Sequence, residues 1–169
     1  MLRAVFALTW LLAVAPAHCE APGPDALLKR MSDEVIAEIR KDAAVQRGDP
    51  ARIAALVETK IVPHFDFRRM TQIAVGTHWR VATPQQRDQL TQEFRTLLVR
   101  TYSGALAGYR NQVIEYRPVQ AKPADTEVTV RSLIRQPGAE SVAIEYDLEK
   151  AGAQWKAVSY THLTLPTKA

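Results

Sequence analysis

The sequence has little of what disulfide-stabilised proteins and most enzymes depend on. Among its 169 residues Cys19 is the only cysteine, so no intramolecular disulfide can form and the fold must depend on packing. No GxSxG nucleophile motif, HExxH zinc motif or glycine-rich phosphate loop occurs, and the four histidines show no metal-ligand spacing. The sequence therefore offers little for nucleophilic, zinc-dependent or nucleotide-dependent catalysis.

A strong excess of charge of either sign is also absent. The formal net charge of +4 falls to about +3 if a leader containing Arg3 is removed. This mild positive excess is compatible with weak attraction to anionic headgroups. It lacks the clustered basic face of nucleic-acid-binding proteins, so we expect no nucleic-acid partner.

Both ends are predicted to lie outside the folded domain. Residues 1–17 have the features of a cleaved signal peptide: a basic start, an apolar run of about a dozen residues that is too short to span a bilayer, and a small-residue cleavage site at Ala15-Pro16-Ala17. Cleavage after residue 19 or 21 is an alternative. The tail 159–169, SYTHLTLPTKA, shows neither strand alternation nor a helical period, so we expect it to be foreign and assign no function to His162. The domain is thus predicted to span residues 18–158.

Apolar residues recur at helical spacing through the first half of the domain. The clearest helix start is Thr83, followed by Pro84 and, three residues after the cap, Gln86, which together form a capping box. The predicted helices run from Asp25 to about Arg47, from Pro50 to Val62, from Asp66 to Gly76 and from Pro84 to about Gly108.

Beyond Asn111 the hydrophobic period changes to two, which is typical of half-buried strands. The clearest alternations place Val128, Val130, Ser132 and Ile134 on one face of one strand, and Val142, Ile144, Tyr146 and Leu148 on one face of the next. A fourth strand is predicted to begin at Trp155. The sequence therefore predicts an α+β fold, in which an N-terminal helical layer packs on a C-terminal antiparallel sheet.

Three motifs at fixed spacing occupy the segment from Pro63 to Tyr109. They are PxFDF from Pro63, GxxWRxATPxQR from Gly76, and FRxxLxxTYxxALxxY from Phe94. Their sequence and spacing resemble those of the MlaC family of periplasmic phospholipid carriers, also called toluene-tolerance auxiliary proteins. The resemblance extends more weakly from about Asp25 to Trp155. Members of the family continue beyond this point with a further strand and a terminal helix, so the resemblance implies that the domain is truncated at its C-terminus.

This resemblance implies a specific function and fold. It implies an NTF2-like cone with a lipid cavity, and a non-enzymatic monomer without cofactor that carries phospholipid through the periplasm of a Gram-negative bacterium. Its implied partners are an outer-membrane lipoprotein–porin complex and an inner-membrane ABC transporter that carries a lipid-binding hexamer.

A set of apolar side chains is the candidate lipid-binding site. From the residues alone they could fill an ordinary core or enclose a cavity, and the resemblance favours the cavity. Arg80 and Arg110 are candidates for weak headgroup contact, with plain solvent exposure as the alternative. The candidate lipid-binding residues are Phe65, Phe67, Met70, Ile73, Phe94, Leu98, Tyr102, Leu106, Tyr109, Val130, Ile144, Tyr146 and Trp155.

Two other functions stay open at this point. One is a small enzyme in which Asp66 works with His64 or His78 as acid and base, although a carboxylate at this position is also expected simply to cap the third helix. The other is an envelope protein that binds partner proteins but no lipid.

Overall fold

The computed structural model describes residues 22–109, 111–136, 138 and 140–164. The predicted signal peptide, Arg110 and the last five residues lie outside this part. The described chain forms helices followed by an antiparallel sheet, which confirms the predicted α+β fold. The helices are α1 (Pro24–Lys41), α2 (Ala43–Gln46), α3 (Pro50–Lys60), α4 (Phe67–Val75), α5 (His78–Val81) and α6 (Pro84–Ala107), with a 3-10 turn at Val62–His64, and the strands are β1 (Val113–Tyr116), β2 (Glu127–Arg135), β3 (Val142–Ala151) and β4 (Gln154–Thr164).

Side chains that accept backbone N–H groups set most of the helix starts. At Thr83 both hydrogen bonds of the predicted capping box are present: Thr83 Oγ1 accepts from the Gln86 N–H at 3.3 Å, and Gln86 Oε1 accepts from the Thr83 N–H at 2.8 Å. Asp49 likewise accepts from the N–H groups of Ala51 and Arg52. These two starts were readable from the sequence because capping is local chemistry.

The prediction of one continuous helix from Asp25 to Arg47 was wrong. Asp42 has an extended backbone conformation and its carboxylate accepts the N–H groups of Ala44 and Val45, so α1 ends and α2 begins at this residue. The Arg52 guanidinium donates to the same carboxylate at 2.6 Å and holds the pKa of Asp42 below its usual value.

The sheet is a meander in the order β1-β2-β3-β4, with every neighbouring pair antiparallel. The alternation predicted for β2 and β3 is present, since one face of each strand is consistently more buried than the other. The helices cover this inner face. The outer face carries cross-strand polar pairs such as Arg131–Glu145 and Thr129–Asp147.

The prediction that the tail from Ser159 is irregular was wrong as far as Thr164. Here β4 continues to pair with β3, but its register shifts: Ala157 pairs with Leu148, Ser159 pairs with Asp147, and Val158 between them is an extra residue. Because this β-bulge changes the phase of the alternation, the two halves of β4 together do not show a single period of two. Whether the tail is foreign is a separate question and stays a prediction.

Two clusters of buried side chains hold the fold together. The first, which we call the closed core, lies between α1 and one half of the inner sheet face. The second, the helical core, joins α1, α2 and α3. The closed core comprises Leu27, Leu28, Met31, Val130, Leu148, Trp155 and Ala157, and the helical core comprises Val35, Ile39, Val45, Ile53, Leu56 and Val57.

Candidate ligand-binding cavity

A cavity of about 290 Å³ lies between the helices and the other half of the inner sheet face. Its wall is almost entirely apolar, and none of the described lining residues carries a formal charge at neutral pH. Such a space suits the hydrocarbon part of a ligand. It is lined by Met31, Val57, Ile61, Val62, Phe65, Phe67, Met70, Leu98, Val99, Tyr102, Leu106, Ile134, Ile144, Tyr146, Tyr160 and His162.

Eight of the thirteen predicted apolar site residues line this cavity. They come from the turn before α4, from α4 itself, from α6 and from β3. The eight are Phe65, Phe67, Met70, Leu98, Tyr102, Leu106, Ile144 and Tyr146.

Val130 and Trp155 belong instead to the closed core. Val130 has no exposed surface and Trp155 has 7 %, and both pack with α1 rather than facing the cavity. Their predicted role as lining residues is therefore corrected. Both lie on the inner sheet face as expected, but α1 covers that part of the face completely.

Three further candidates also lie outside the cavity wall. Ile73 is 46 % exposed on α4. Phe94 is half-buried on α6, one turn before Leu98. Tyr109 packs against the helical core, and its hydroxyl donates to the Gln112 carbonyl at 3.3 Å.

The predicted headgroup residues receive no support from the cavity geometry. Arg80 is exposed on α5 and does not line the cavity, while its carbonyl accepts from the Arg87 guanidinium. Arg110 lies outside the described residues, so its role stays a prediction.

Eight lining residues were missed. Met31, Val57 and Ile61 belong to the apolar residues that recur at helical spacing, and Ile134 lies on a predicted strand face, but such a pattern does not indicate which of its members face a void. Tyr160 and His162 were set aside with the tail, because the bulge in β4 hides the pattern that would have placed them on the inner face. The others are Val62 and Val99.

Three rings form the exposed side of the cavity. The Tyr102 and Tyr160 ring centroids are 5.1 Å apart in an edge-to-face arrangement, and His162 stacks on Tyr102 at 6.0 Å. Tyr102 is 37 % exposed and His162 is also exposed, so this side opens to solvent. Burial, together with a hydrogen bond to Tyr102, raises the pKa of Tyr160, which keeps its phenol neutral. The rim is thus polar and contains no arginine, lysine or carboxylate side chain among the described lining residues.

The candidate acid–base residues have structural roles or lie away from the cavity. Asp66 Oδ1 accepts the Arg69 N–H at 2.9 Å, which confirms the expected cap of α4. Its own N–H donates to the Ala157 carbonyl, so the turn is tied to β4 at the bulge. Neither His64 nor His78 lines the cavity. The described residues contain no group of three or more His, Cys, Asp or Glu placed to hold a metal ion.

No helix in the described part of the chain combines the length and apolar character needed to cross a bilayer.

Comparison with known proteins finds a matching family model and relatives whose names describe phospholipid transport or phospholipid binding. The family model described as "MlaC protein" matches residues 29–159. A relative named intermembrane phospholipid transport system binding protein MlaC, from Haemophilus influenzae, is 21% identical over 154 residues, which cover 89% of this chain and 72% of that protein. A phospholipid-binding protein from Ralstonia solanacearum, solved in complex with a phospholipid, superposes with a TM-score of 0.77 at 42% identity, covering 85% of this chain and 80% of that one.

Proposed function

We propose, from the premise that this chain belongs to the MlaC family, that it is a phospholipid-binding carrier that moves lipid between two membranes. The observation that carries the proposal is the apolar cavity between α6 and the sheet. The Ralstonia protein, which was solved with a phospholipid, supports it because its fold and 42% of its aligned residues are shared with this chain.

The free energy of exposing acyl chains explains why such a carrier is needed. Each methylene group in water costs about 0.8 kcal/mol. A phospholipid with roughly thirty methylenes would therefore face a penalty on the order of 20 kcal/mol in the aqueous space between membranes. A dry apolar cavity removes most of this penalty.

Release of the lipid requires that the protein bind it no more strongly than a membrane does. The rim of Tyr102, Tyr160 and His162 contains no arginine and so meets this requirement, because hydrogen bonds from phenol groups are weaker than the charge-assisted bonds that arginine makes to phosphate. We place the acyl chains against the lining residues and the headgroup at this rim.

The relative's name supports a location between two membranes. We propose that the protein is located in the periplasm, which it reaches through the predicted signal peptide at residues 1–17. There we expect it to exchange lipid with an outer-membrane lipoprotein–porin complex and an inner-membrane ABC transporter.

We further propose that the protein is a carrier without catalytic activity. Use of the Asp66 carboxylate as a helix cap supports this view, because a capping carboxylate is committed to a backbone N–H.

Native mass spectrometry of the full chain, exported to a bacterial periplasm and purified gently, tests the proposal. We expect a bound mass that lipid extraction identifies as phospholipid. Leu98→Asp places a charge in the cavity wall and should abolish lipid retention. The matched control is Leu97→Asp at the next position, since Leu97 is 58 % exposed and should tolerate the same change. Ligand-free wild-type protein, or equal retention by both variants, would contradict the proposal.

A further inference from the structure

One lining residue of the cavity also forms part of the boundary with the closed core. Along the inner face of β3 the side chains run from Ile144, which lines the cavity, through Tyr146 to Leu148, which is 1 % exposed in the closed core. Tyr146 lines the cavity and also packs against the closed core. Its side chain therefore lies where the empty space ends.

The Tyr146 side chain extends across the sheet, away from the rim. Tyr146 belongs to β3, and its hydroxyl forms hydrogen bonds with the hydroxyls of Ser132 on β2 and Tyr116 on β1. The rim residues Tyr160 and His162 belong to β4, on the other side of β3. The phenol ring thus covers the sheet on the deep side of the cavity, where it meets a chain that enters at the rim.

A series of hydroxyl groups holds this ring in place. The Tyr116 hydroxyl lies 2.6 Å from Ser32 Oγ on α1, so Tyr146 is connected through Tyr116 to the helix that covers the closed core. Burial raises the pKa of both phenols, which keeps them neutral. Because a buried hydroxyl without a partner is destabilising, the Tyr146 ring cannot turn aside without a loss of stability.

Three apolar residues share the boundary with Tyr146. Met31, Ile61 and Phe65 also line the cavity and contact the closed core. Their side chains carry no hydrogen-bonding group that fixes their position, and methionine in particular adapts its shape to its neighbours. Tyr146 differs because its ring is rigid and its far end is hydrogen-bonded. It is therefore the residue that gives the cavity a fixed limit.

We propose that Tyr146 sets the maximum length of the acyl chain that the cavity accepts, and that Tyr116 and Ser32 position it for this role. The inference rests on the proposed lipid-binding function. Each methylene enclosed in the cavity and not left in water favours binding by about fourfold. This gain continues until the chain reaches the Tyr146 ring, and a longer chain gains nothing further.

The test measures which chain lengths the protein extracts from a mixed membrane. Lipid-free full-length protein is incubated with vesicles that contain equal amounts of phosphatidylglycerols with lauroyl, myristoyl, palmitoyl or stearoyl chains, and native mass spectrometry gives the bound distribution. Tyr146→Leu removes the ring, and we expect it to raise the bound ratio of stearoyl to myristoyl lipid by about 4- to 16-fold, the effect of one or two more enclosed methylenes. The vesicles are the same for every protein, so differences between proteins report the cavity.

Two phenylalanine variants test the positioning of the ring. Tyr146→Phe keeps the ring and removes its hydroxyl, and Tyr116→Phe removes the hydroxyl that connects it to Ser32. Both should shift the bound distribution toward longer chains by a smaller factor than Tyr146→Leu does. Tyr116 does not line the cavity, so its effect on chain length must act through Tyr146.

Tyr102→Leu is the matched control. Tyr102 also lines the cavity, but it lies at the rim and is 37 % exposed. The same substitution there removes the same side-chain volume without deepening the cavity, so the bound distribution should remain that of wild type. An equal shift in Tyr102→Leu and Tyr146→Leu would show that total volume, and not Tyr146, limits chain length.

The remaining outcomes separate the length limit from the carrier function. Should Tyr146→Leu fail to unfold cooperatively on heating, the two phenylalanine variants decide the question. An unchanged distribution in the variants that fold overturns the length limit and leaves the carrier function intact. Failure of the wild-type protein to extract any phospholipid overturns the carrier function itself.

Discussion

The two halves of the inner sheet face have the same kind of sequence but different surroundings. In the closed core Val130, Leu148 and Ala157 have at most 1 % exposed surface and pack against α1. In the other half, which we call the open half, β2 contributes Ile134, β3 contributes Ile144 and β4 contributes Tyr160 to the wall of a cavity. The difference therefore arises from the helix that covers each half and not from the strands.

The two covering helices are held in place in different ways. α1 inserts Leu27 and Leu28 into the closed core, with Leu28 fully buried. α6 packs mainly against α3 and α4, and none of its described side chains is fully buried. Ion pairs of Arg95 with Glu58 and of Asp88 with Arg68 join it to those helices. We infer that α3 and α4 support α6 at a distance from the sheet, so that an unfilled space is left beneath it.

Removing side-chain volume should have the largest effect on the free energy of unfolding. We expect this large effect in the closed core and only a small one in the open half. Leu148→Ala is expected to lower the free energy of unfolding by about 2–5 kcal/mol, because a fully enclosed side chain leaves a cavity that cannot collapse. Leu98→Ala in the open half should cost about 1 kcal/mol or less, because Leu98 already borders a void and is only half-buried.

Urea unfolding of lipid-free protein measures both changes, since bound lipid would add stability of its own. Equal losses for the two variants would show that the two halves are packed alike.

Adding side-chain volume should also destabilise the closed core more than the open half. Ala157→Leu adds a branched side chain where no surface is exposed, and we expect it to destabilise the protein by about 1–3 kcal/mol. Ile144→Phe extends into the cavity and should change stability by less than about 1 kcal/mol while reducing the amount of lipid bound.

Thermal unfolding and native mass spectrometry of the same two samples give the two quantities. Strong destabilisation by Ile144→Phe, with lipid binding preserved, would contradict an open cavity at this position.

The parts of the fold that depend on local chemistry could be predicted from the sequence. The capping box at Thr83, the Asp66 cap and the alternation of β2 and β3 are each determined by residues a few positions apart. The break at Asp42 was equally local and was missed because no glycine or proline marks it between Lys41 and Arg47.

The boundary between closed core and cavity could not be predicted in this way. Val130 and Tyr146 are cross-strand partners on the same face, yet Val130 is enclosed and Tyr146 lines the void. This outcome depends on where α1 and α6 lie, which is a tertiary property. The bulge at Val158 likewise results from pairing with β3 and from the turn that docks beside it, and it shifts Tyr160 onto the inner face.

The helix over the open half should depend more on its cap than α1 does. α1 begins without a side-chain cap and is anchored by burial, whereas α6 begins with a complete capping box. We expect Thr83→Ala to cost about 1 kcal/mol, and Thr83→Ser, which keeps the hydroxyl, to cost much less.

Amide hydrogen exchange should show the Thr83→Ala effect concentrated in the first turns of α6, with the closed core unaffected. Equal loss of protection in α1 and α6 would indicate that the two helices unfold as one unit, which would weaken the distinction between the halves.

The smallest expected effect concerns His64, in the turn that joins the two halves. Burial lowers its pKa from the ordinary value of 6.5, and the positive charges of Lys156 and Arg30 lower it further. As the pH falls below about 6.5, the unfolded chain binds a proton before the folded one does, so stability decreases until the pH reaches the lower folded-state pKa.

Between about pH 7.5 and 5.5 the melting temperature of lipid-free His64→Gln should therefore fall less than that of wild type. His78→Gln replaces an exposed histidine and should follow wild type. A wild-type slope in the His64→Gln variant would mean that His64 takes up its proton as readily in the folded protein as in the unfolded chain, and that the junction between the closed core and the open half is accessible to water.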